Sequence, residues 1–442
     1  RVGDNINIRG IYTFGDMYID GIRDTAQYNR DTFNDAAVEV LRGSASMLFG
    51  RGQAGGVINQ VWKKPFLDNK SNVAVIGGSF DYFRSTADLN FVIDREQSSA
   101  FRINAVVQDS ASSRNYVTNH TQGVAPSYSW GIGTYNQIDV SYYYLNTKLV
   151  PDYGIGFNTV TKNPVNVPGS TFSGTTQDEE NNRTQMGTIS QNYSFDKDTS
   201  LVTKLRYSNY VRSLWVNKGR TETPNSSNYL LANPYPVQTL SLAPARGATE
   251  ETLAFQSDFN KTANWLSMGH TILAGVEYYR ESLNRYNYRS DNCQPGSATT
   301  TNPDNWGVRN NQIQKDFCTY GYGNLNKNAT SVFTYQADSY ALYGQDLVEL
   351  TRGLKLLGGG RQDWLNATYN QPNNPNPTAL KNQGLAFDNP SYRAGLLFEP
   401  TPTSGTMYFS WSDSFSPTAD LYQTSATNGQ QLPAETSELF EL

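Results

Sequence analysis

The chain has 442 residues, with 35 basic against 40 acidic side chains and a net charge of −5. It therefore lacks the basic footprint of a nucleic-acid binder. Its mean hydropathy is −0.58, and no apolar run approaches the roughly 18 residues of a spanning helix, which excludes a helical membrane protein but not a barrel of half-apolar strands. Aromatics make up 13% of the chain, with 29 Tyr, 20 Phe and 7 Trp; this suits either an ordinary β protein or a barrel with aromatic girdles. No secretory leader is visible, and the chain opens at Arg1 inside what reads as folded sequence.

In chain order, residues 1–66 read as short strands with Gly-rich connections: Asn5 to Arg9, Met17 to Asp20, Val38 to Leu41 and Val57 to Val61. Between the last two lies a helical turn at Met47, Leu48 and Phe49, followed by a Gly-rich run at 50–56. That run lacks the Gly-Lys-Ser/Thr ending of a phosphate loop, so its glycines are read as serving tight turns and close packing.

From about residue 72 the period is two. Phe101, Ile103, Ala105 and Val107 alternate with Arg102, Asn104 and Gln108; Leu205 and Tyr207 oppose Lys204 and Arg206; Ile272, Ala274, Val276 and Tyr278 oppose Gly275, Glu277, Tyr279 and Glu281. Such alternation sets one face in an apolar medium and the other in a polar one. The segments run about 10 to 14 residues, enough for a tilted strand to cross a bilayer. Short connections near 94–99, 196–199, 351–353 and 401–405 alternate with long ones near 148–182, 213–250, 285–335 and 371–386. Short turns on one side and long loops on the other favour an antiparallel transmembrane β-barrel over a soluble sandwich.

No catalytic constellation emerges. His120, read as a loop residue, and His270, at a turn-to-strand junction, have no spacing for zinc or a triad, and both are expected to be solvated surface residues. Glu179 and Glu180 are adjacent, so on a strand they point to opposite faces, a poor geometry for paired acid/base work. Cys293 and Cys318, the only cysteines, fit a disulfide closing one loop better than a metal site, which would place the chain in an oxidising compartment.

At Val38 to Pro65 the wording VEVLRGSASMLFG, then GGVINQVWKKP, resembles the plug domain of TonB-dependent outer-membrane receptors. Asn7-Ile8-Arg9-Gly10 and DMYIDGIRD at 16–24 agree with it, and the phrases GSFDYFRSTADLN (78–90), FRINAVVQDS (101–110), ILAGVEYYRES (272–282) and LPAETSELFEL (432–442) are most similar to the ferric-catecholate siderophore receptors. The resemblance implies an all-β fold: an α+β plug over residues 1–66 and a barrel over 67–442, with about 14 strand-like segments where the family closes with 22. It also implies that the TonB-binding segment lies outside this chain. An open sheet of this kind leaves an edge that lipid cannot satisfy, so the isolated chain is not expected to insert as a stable barrel.

The same resemblance implies energised uptake of a ferric siderophore into a Gram-negative cell across its outer membrane. The partners would be TonB (driven by the inner-membrane ExbB–ExbD complex) and outer-membrane lipid, with no nucleic acid, no enzyme activity and a monomeric receptor. No cofactor is expected; the iron is cargo, held by the siderophore and not by protein ligands. A ferric catecholate needs cations and aromatic faces, and the plug loops that face the vestibule in the family correspond to Tyr12 and Phe14, and to Arg23, Gln27, Tyr28 and Arg30. The family's plug arginines pair with lumen glutamates, which here points to Arg9 and Arg42 against Glu277 and Glu441. The alternatives are the same fold carrying haem or cobalamin, or a soluble β-rich carbohydrate-binding protein.

Overall fold

The structure is a computed structural model. It describes residues 4–154, 169, 170, 172, 178–221, 238–291, 308–309, 312–313, 324–327, 332–373, 381–400, 405–417 and 433–442, apart from 5, 9–10, 14–15, 44–45 and 53–54. The first part of the chain forms β1 (Ile6–Ile8), β2 (Ile11–Thr13), β3 (Met17–Ile19), β4 (Ile22–Arg23), β5 (Asp35–Arg42), a one-turn helix α1 (Ser46–Phe49) and β6 (Gly56–Trp62). β1 and β2 make a hairpin, while the other four strands make a small sheet in the order β4-β3-β6-β5. The expected strands and helical turn are therefore all present, and the stretch expected as the loop that carries Tyr12 contributes β2.

The remainder is strand. β7 (Lys70–Gly78), β8 (Tyr82–Asp94), β9 (Ser99–Ser110), β10 (Asn119–Trp130), β11 (Asn136–Leu149), β12 (Glu179–Asp196), β13 (Thr199–Thr221), β14 (Gln238–Trp265) and β15 (Met268–Asp291) come first. Short pieces follow at β16 (Val308–Arg309), β17 (Gln312–Ile313) and β18 (Asn324–Lys327), then β19 (Phe333–Thr351), β20 (Leu354–Asn370), β21 (Asn382–Phe398), β22 (Met407–Ser416) and β23 (Glu435–Glu441). Fourteen of these pair in sequence order as one antiparallel wall from β7 to β23, interrupted only where β15 pairs directly with β19. The strand count read from the sequence is met, but not the strand length: β13, β14 and β15 hold 23, 28 and 24 residues. These are two to three times the roughly 10 residues a tilted crossing requires, because pairing continues past the apolar zone towards the long loops.

Connections alternate as expected, with β7–β8 the exception, since that turn is short on the long-loop side. The two-residue turn at Leu266 and Ser267 has both residues at positive φ (51° and 62°), the hairpin geometry that matches strand twist; it carries no glycine to announce it. The faces are also as predicted. Leu205, Val276, Leu342 and Leu396 point outward and are more than a third exposed, whereas Arg206 and Glu281 are 2% and 0% exposed on the inner face. Near the short turns the outer surface carries Trp130, Tyr135, Phe195 and Trp265, all exposed, with Tyr193 edge-on to both Tyr135 and Phe195. An apolar outer band edged by aromatics is the surface a lipid-facing barrel presents.

The main core lies between the two parts. Ile19, Ala26, Tyr28, Phe33 and Trp62 from the small domain pack with Val106, Ala125, Tyr143, Leu145, Met186 and Tyr210 from the inner wall. Trp62 stacks on Tyr143 at 4.7 Å and Phe33 lies 5.5 Å from the same ring. Fully burying each such side chain contributes about 1.5–3 kcal/mol, so the small domain is a plug whose core depends on the wall it fills.

Candidate functional site: the seam between plug and wall

Above the aromatic core, polar side chains of the plug meet polar side chains of the inner wall. The β4 strand and the segment after it run along β12 to β15. Arg23 sits 3.9 Å from Oε1 of Glu281, and Arg51 donates to Oε2 of the same carboxylate at 2.6 Å. Both guanidiniums are under a tenth exposed and the carboxylate is fully buried. Arg51 lies between two glycines, beside Arg361, which donates to Asp363 and to Glu277 (3.2 Å). Gly50 has a φ of +79°, and a Cβ there would stand 2.7 Å from Arg361 Nη2; only glycine lets the chain turn so close to that guanidinium. Gly359 on β20 likewise admits α1, because a Cβ would stand 2.6 Å from Met47 Cε.

One turn along the seam, Asp24 is the hub. Its Oδ2 accepts from Tyr28 OH and Arg30 Nε, both at 2.8 Å, and its Oδ1 accepts from Tyr210 OH of the wall at 2.7 Å. Arg30 also lies over the Tyr28 ring at 4.3 Å. Burial, reinforced by Asp24, pushes the Tyr28 phenol well above its ordinary range, so it stays a neutral donor. Thr25 hydrogen-bonds Glu250. Gln27 Oε1 accepts from Arg212 Nη1 at 2.8 Å, while Arg212 Nη2 pairs with the buried Glu180 at 2.9 Å.

The residues expected to line a vestibule are thus engaged otherwise. Arg23, Tyr28 and Arg30 lie in the seam, bonded to carboxylates, because the loop that carries them folds against the wall. Gln27 is half-buried at the upper margin. Tyr12 lies in β2, but its side chain is outside the described residues, as are Arg9, Phe14, Cys293 and Cys318.

The expected seat is corrected at Arg42 and Glu277. Arg42 is exposed at the end of β5, the edge strand of the plug sheet, and makes no ion pair among the described residues. Glu277 pairs with Arg361, a residue of the wall itself. Glu441 sits on β23, half-buried. Among the described residues, an arginine-to-glutamate scheme is carried by Arg23 and Arg51 on Glu281. Both missed residues had a signal: Arg51 is flanked by glycines like Arg9 and Arg42, and Glu281 is four residues beyond Glu277 on the same face.

The other expectations divide. Glu179 and Glu180 do face opposite ways, the first bonded to Lys148 at 2.8 Å and the second to Arg212. His120 is exposed, but in β10 and not a loop, and is bonded to Asp109. His270 is 8% exposed and bonds Asp346 at 2.7 Å, not solvated, since its strand pairs on both sides.

Comparison with known proteins follows this geometry. A family model described as "TonB dependent receptor-like, beta-barrel" matches residues 123–442, and one described as "TonB-dependent Receptor Plug Domain" matches 1–57. The catecholate siderophore receptor Fiu of Escherichia coli O157:H7 is 28% identical over 384 residues, covering 83% of this chain and 48% of that protein. A probable TonB-dependent siderophore receptor, PiuA of Acinetobacter baumannii, is 26% identical over 460 residues, covering 100% of this chain and 60% of its own length. The chain thus spans about half the length of the curated relatives it matches. Among solved structures, the PiuA siderophore receptor superposes with a TM-score of 0.87 at 24% identity, over 99% of this chain and 63% of that one. The closed form of the Fiu ferric-catecholate import receptor from E. coli K12 gives 0.82 at 23%, over 99% and 64%.

Proposed function

We propose, for a chain that belongs to the TonB-dependent receptor family, that it is part of a receptor taking a ferric siderophore of the catecholate type into a Gram-negative cell across the outer membrane. The observation that carries this reading is the seam. A plug held against the inner wall by buried ion pairs on Glu281 would have to be displaced for a large anion to pass, so passage requires work on the plug. The proposed source of that work is TonB, energised by the inner-membrane ExbB–ExbD complex. The receptor acts as a monomer in outer-membrane lipid, performs no bond chemistry and carries no cofactor; Fe(III)-siderophore is its cargo. The names of the Fiu and PiuA relatives support the cargo class.

The contacts follow from the chemistry of a flat-sided anion, which needs cations and aromatic faces. Gln27 beside Arg212, together with Tyr12 and Phe14, form the proposed cargo face. Arg23, Tyr28 and Arg30 hold the loop that presents Gln27, so they contribute through its position. The proposed division between plug and barrel stays at residue 66, between the end of β6 and the start of β7.

The test is iron-limited growth of a receptor-deleted host carrying the complete gene, fed a panel of catecholate, hydroxamate and mixed siderophores. Rescue by catecholates is expected. Rescue by none of the panel removes the siderophore reading, and rescue only by hydroxamates removes the catecholate one.

A further inference from the structure

The ladder between β21 and β22 stops short, and the plug occupies the break. The two strands pair from Phe398 with Met407 to Arg393 with Ser412 and no further. Yet β21 runs back to Asn382 and keeps its ladder with β20 throughout. β22 also runs on, to Ser416, still paired with β23. Carried past its last pair, the β21–β22 register sets Tyr392 opposite Asp413 and Pro390 opposite Phe415.

The break follows from Pro390. Tyr392 N–H points towards β22, where it donates to Asp413 Oδ1 at 2.6 Å. Backbone groups two residues apart on a strand point the same way, so the donor that Pro390 lacks would also have faced β22. A proline inside a sheet marks a position without a ladder bond. The plug supplies the missing donor: Gly52 N–H donates to the Phe415 carbonyl at 2.9 Å, and Phe415 N–H donates to Ser46 Oγ at 3.2 Å. These contacts flank the α1 turn, which Met47 holds against Gly359 of β20. By alternation with the exposed Phe409 and Trp411 side of β22, Phe415 would face outward. Instead it is 4% exposed and lines one small cavity with Phe49 and Arg51 of the plug, so β22 turns inward after Ser412.

We propose that Pro390 is a positioning residue: it withholds the wall's own donor from Phe415 and so keeps a main-chain slot that the plug turn 46–52 fills. The inference goes beyond uptake of any particular cargo and needs only the plug and the wall. With a donor at 390, β21 and β22 would zip one step further and take the Phe415 main chain from the plug. A buried backbone group left unpaired is unfavourable, and no strand of the wall competes for this one. The slot therefore favours the plug's return to the same register after displacement.

Amide exchange of the purified complete receptor, read by mass spectrometry on peptides spanning 46–52 and 388–394, tests this. Pro390→Ala restores the donor at an exposed position of the outer face. Exchange over 46–52 is expected to accelerate about fivefold, the factor that one ordinary hydrogen bond carries, while the new amide at 390 is protected. Ser46→Ala should accelerate 46–52 without changing 388–394. Made together, the two substitutions should do no more than Pro390→Ala alone, because that change already frees both ends of the turn; additive effects overturn the proposal. So does parental exchange over 46–52 in Pro390→Ala, or an unprotected amide at 390. If Pro390→Ala loses heat-modifiable migration and has not folded, Ser46→Ala decides: faster exchange over 46–52 supports the slot, and parental exchange overturns it.

Discussion

The upper and lower parts of the seam hold the same plug by different chemistry. Above, plug side chains meet wall side chains: Arg23 and Arg51 on Glu281, Asp24 under Tyr210, Gln27 on Arg212. Below, beside the side-chain pairs of Lys63 with Asp88 and Lys64 with Asp139, wall cations reach plug backbone: Lys204 to the Asp20 carbonyl and Arg206 to the Ile19 carbonyl. The upper contacts are selective and fragile, because each depends on two identities and on desolvated charges. The two carbonyl contacts below tolerate substitution on the plug side, since every residue has a carbonyl. A plug that must be loosened from one end and retained at the other would be built this way.

Glu281→Ala should have the largest effect. It removes the carboxylate that two buried guanidiniums share, and breaking a buried pair costs about 3–5 kcal/mol. In cells carrying the complete receptor, vancomycin sensitivity should rise and the plug should become protease-sensitive; an unchanged phenotype means that the pair does not hold the plug. Asp24→Asn comes next. It weakens acceptance from Tyr28, Arg30 and Tyr210, and leaving buried donors poorly satisfied costs about 1–3 kcal/mol. A lower melting temperature of the purified receptor, with greater proteolysis near residues 24–30, is the expected readout.

Lys204→Met removes one charged donor to the Asp20 carbonyl while Arg206 keeps its bond to the neighbouring Ile19 carbonyl, so the loss should stay near the lower end of the roughly 1.5–3 kcal/mol assigned to such bonds. If it equals the loss from Glu281→Ala, the two halves of the seam are not different. Asp35→Asn sharpens the contrast through pH. Burial raises the Asp35 carboxyl from 3.8 to about 6, with Asp31 and Asp20 adding to the rise while Gln60 and Lys63 oppose it. Its folded form prefers the proton, so its favourable contribution is complete below pH 3.8 and is lost as pH rises through about 6. The asparagine variant should therefore melt higher than the parent at pH 8, with the gap closing by pH 4; a gap independent of pH would refute this. Arg42→Ala should be smallest, within about 0.5 kcal/mol, as for other exposed sites without partners, and plug retention should not change.

Much of the fold was legible because strand alternation has a period of two and is local. Val276 outward and Glu281 inward follow from counting along one strand, as do the opposed Glu179 and Glu180. The plug strands and the α1 turn were legible for a similar reason, since Gly50 and the Gly55-Gly56 pair punctuate short apolar runs. His270 was misread because its burial depends on neighbours 76 residues away at Asp346. A turn before His270 was legible, but not its placement at Leu266 and Ser267, because neither residue type advertises a positive φ.

The sequence alone determined which side chains face the lumen and how many strands build the wall, and its resemblance to the receptor plugs implied that arginines beside plug glycines would seek glutamates. The tertiary structure alone decided which ones meet. Arg51 and Glu281 are 230 positions apart, and no local period relates them. Their pairing depends on where α1 packs against β20 to β22, and on β5 lying at the sheet edge, which leaves Arg42 exposed. Because a charge pair forms only within a few ångströms, a small difference in the plug's placement chooses one arginine over another that the sequence makes equally eligible.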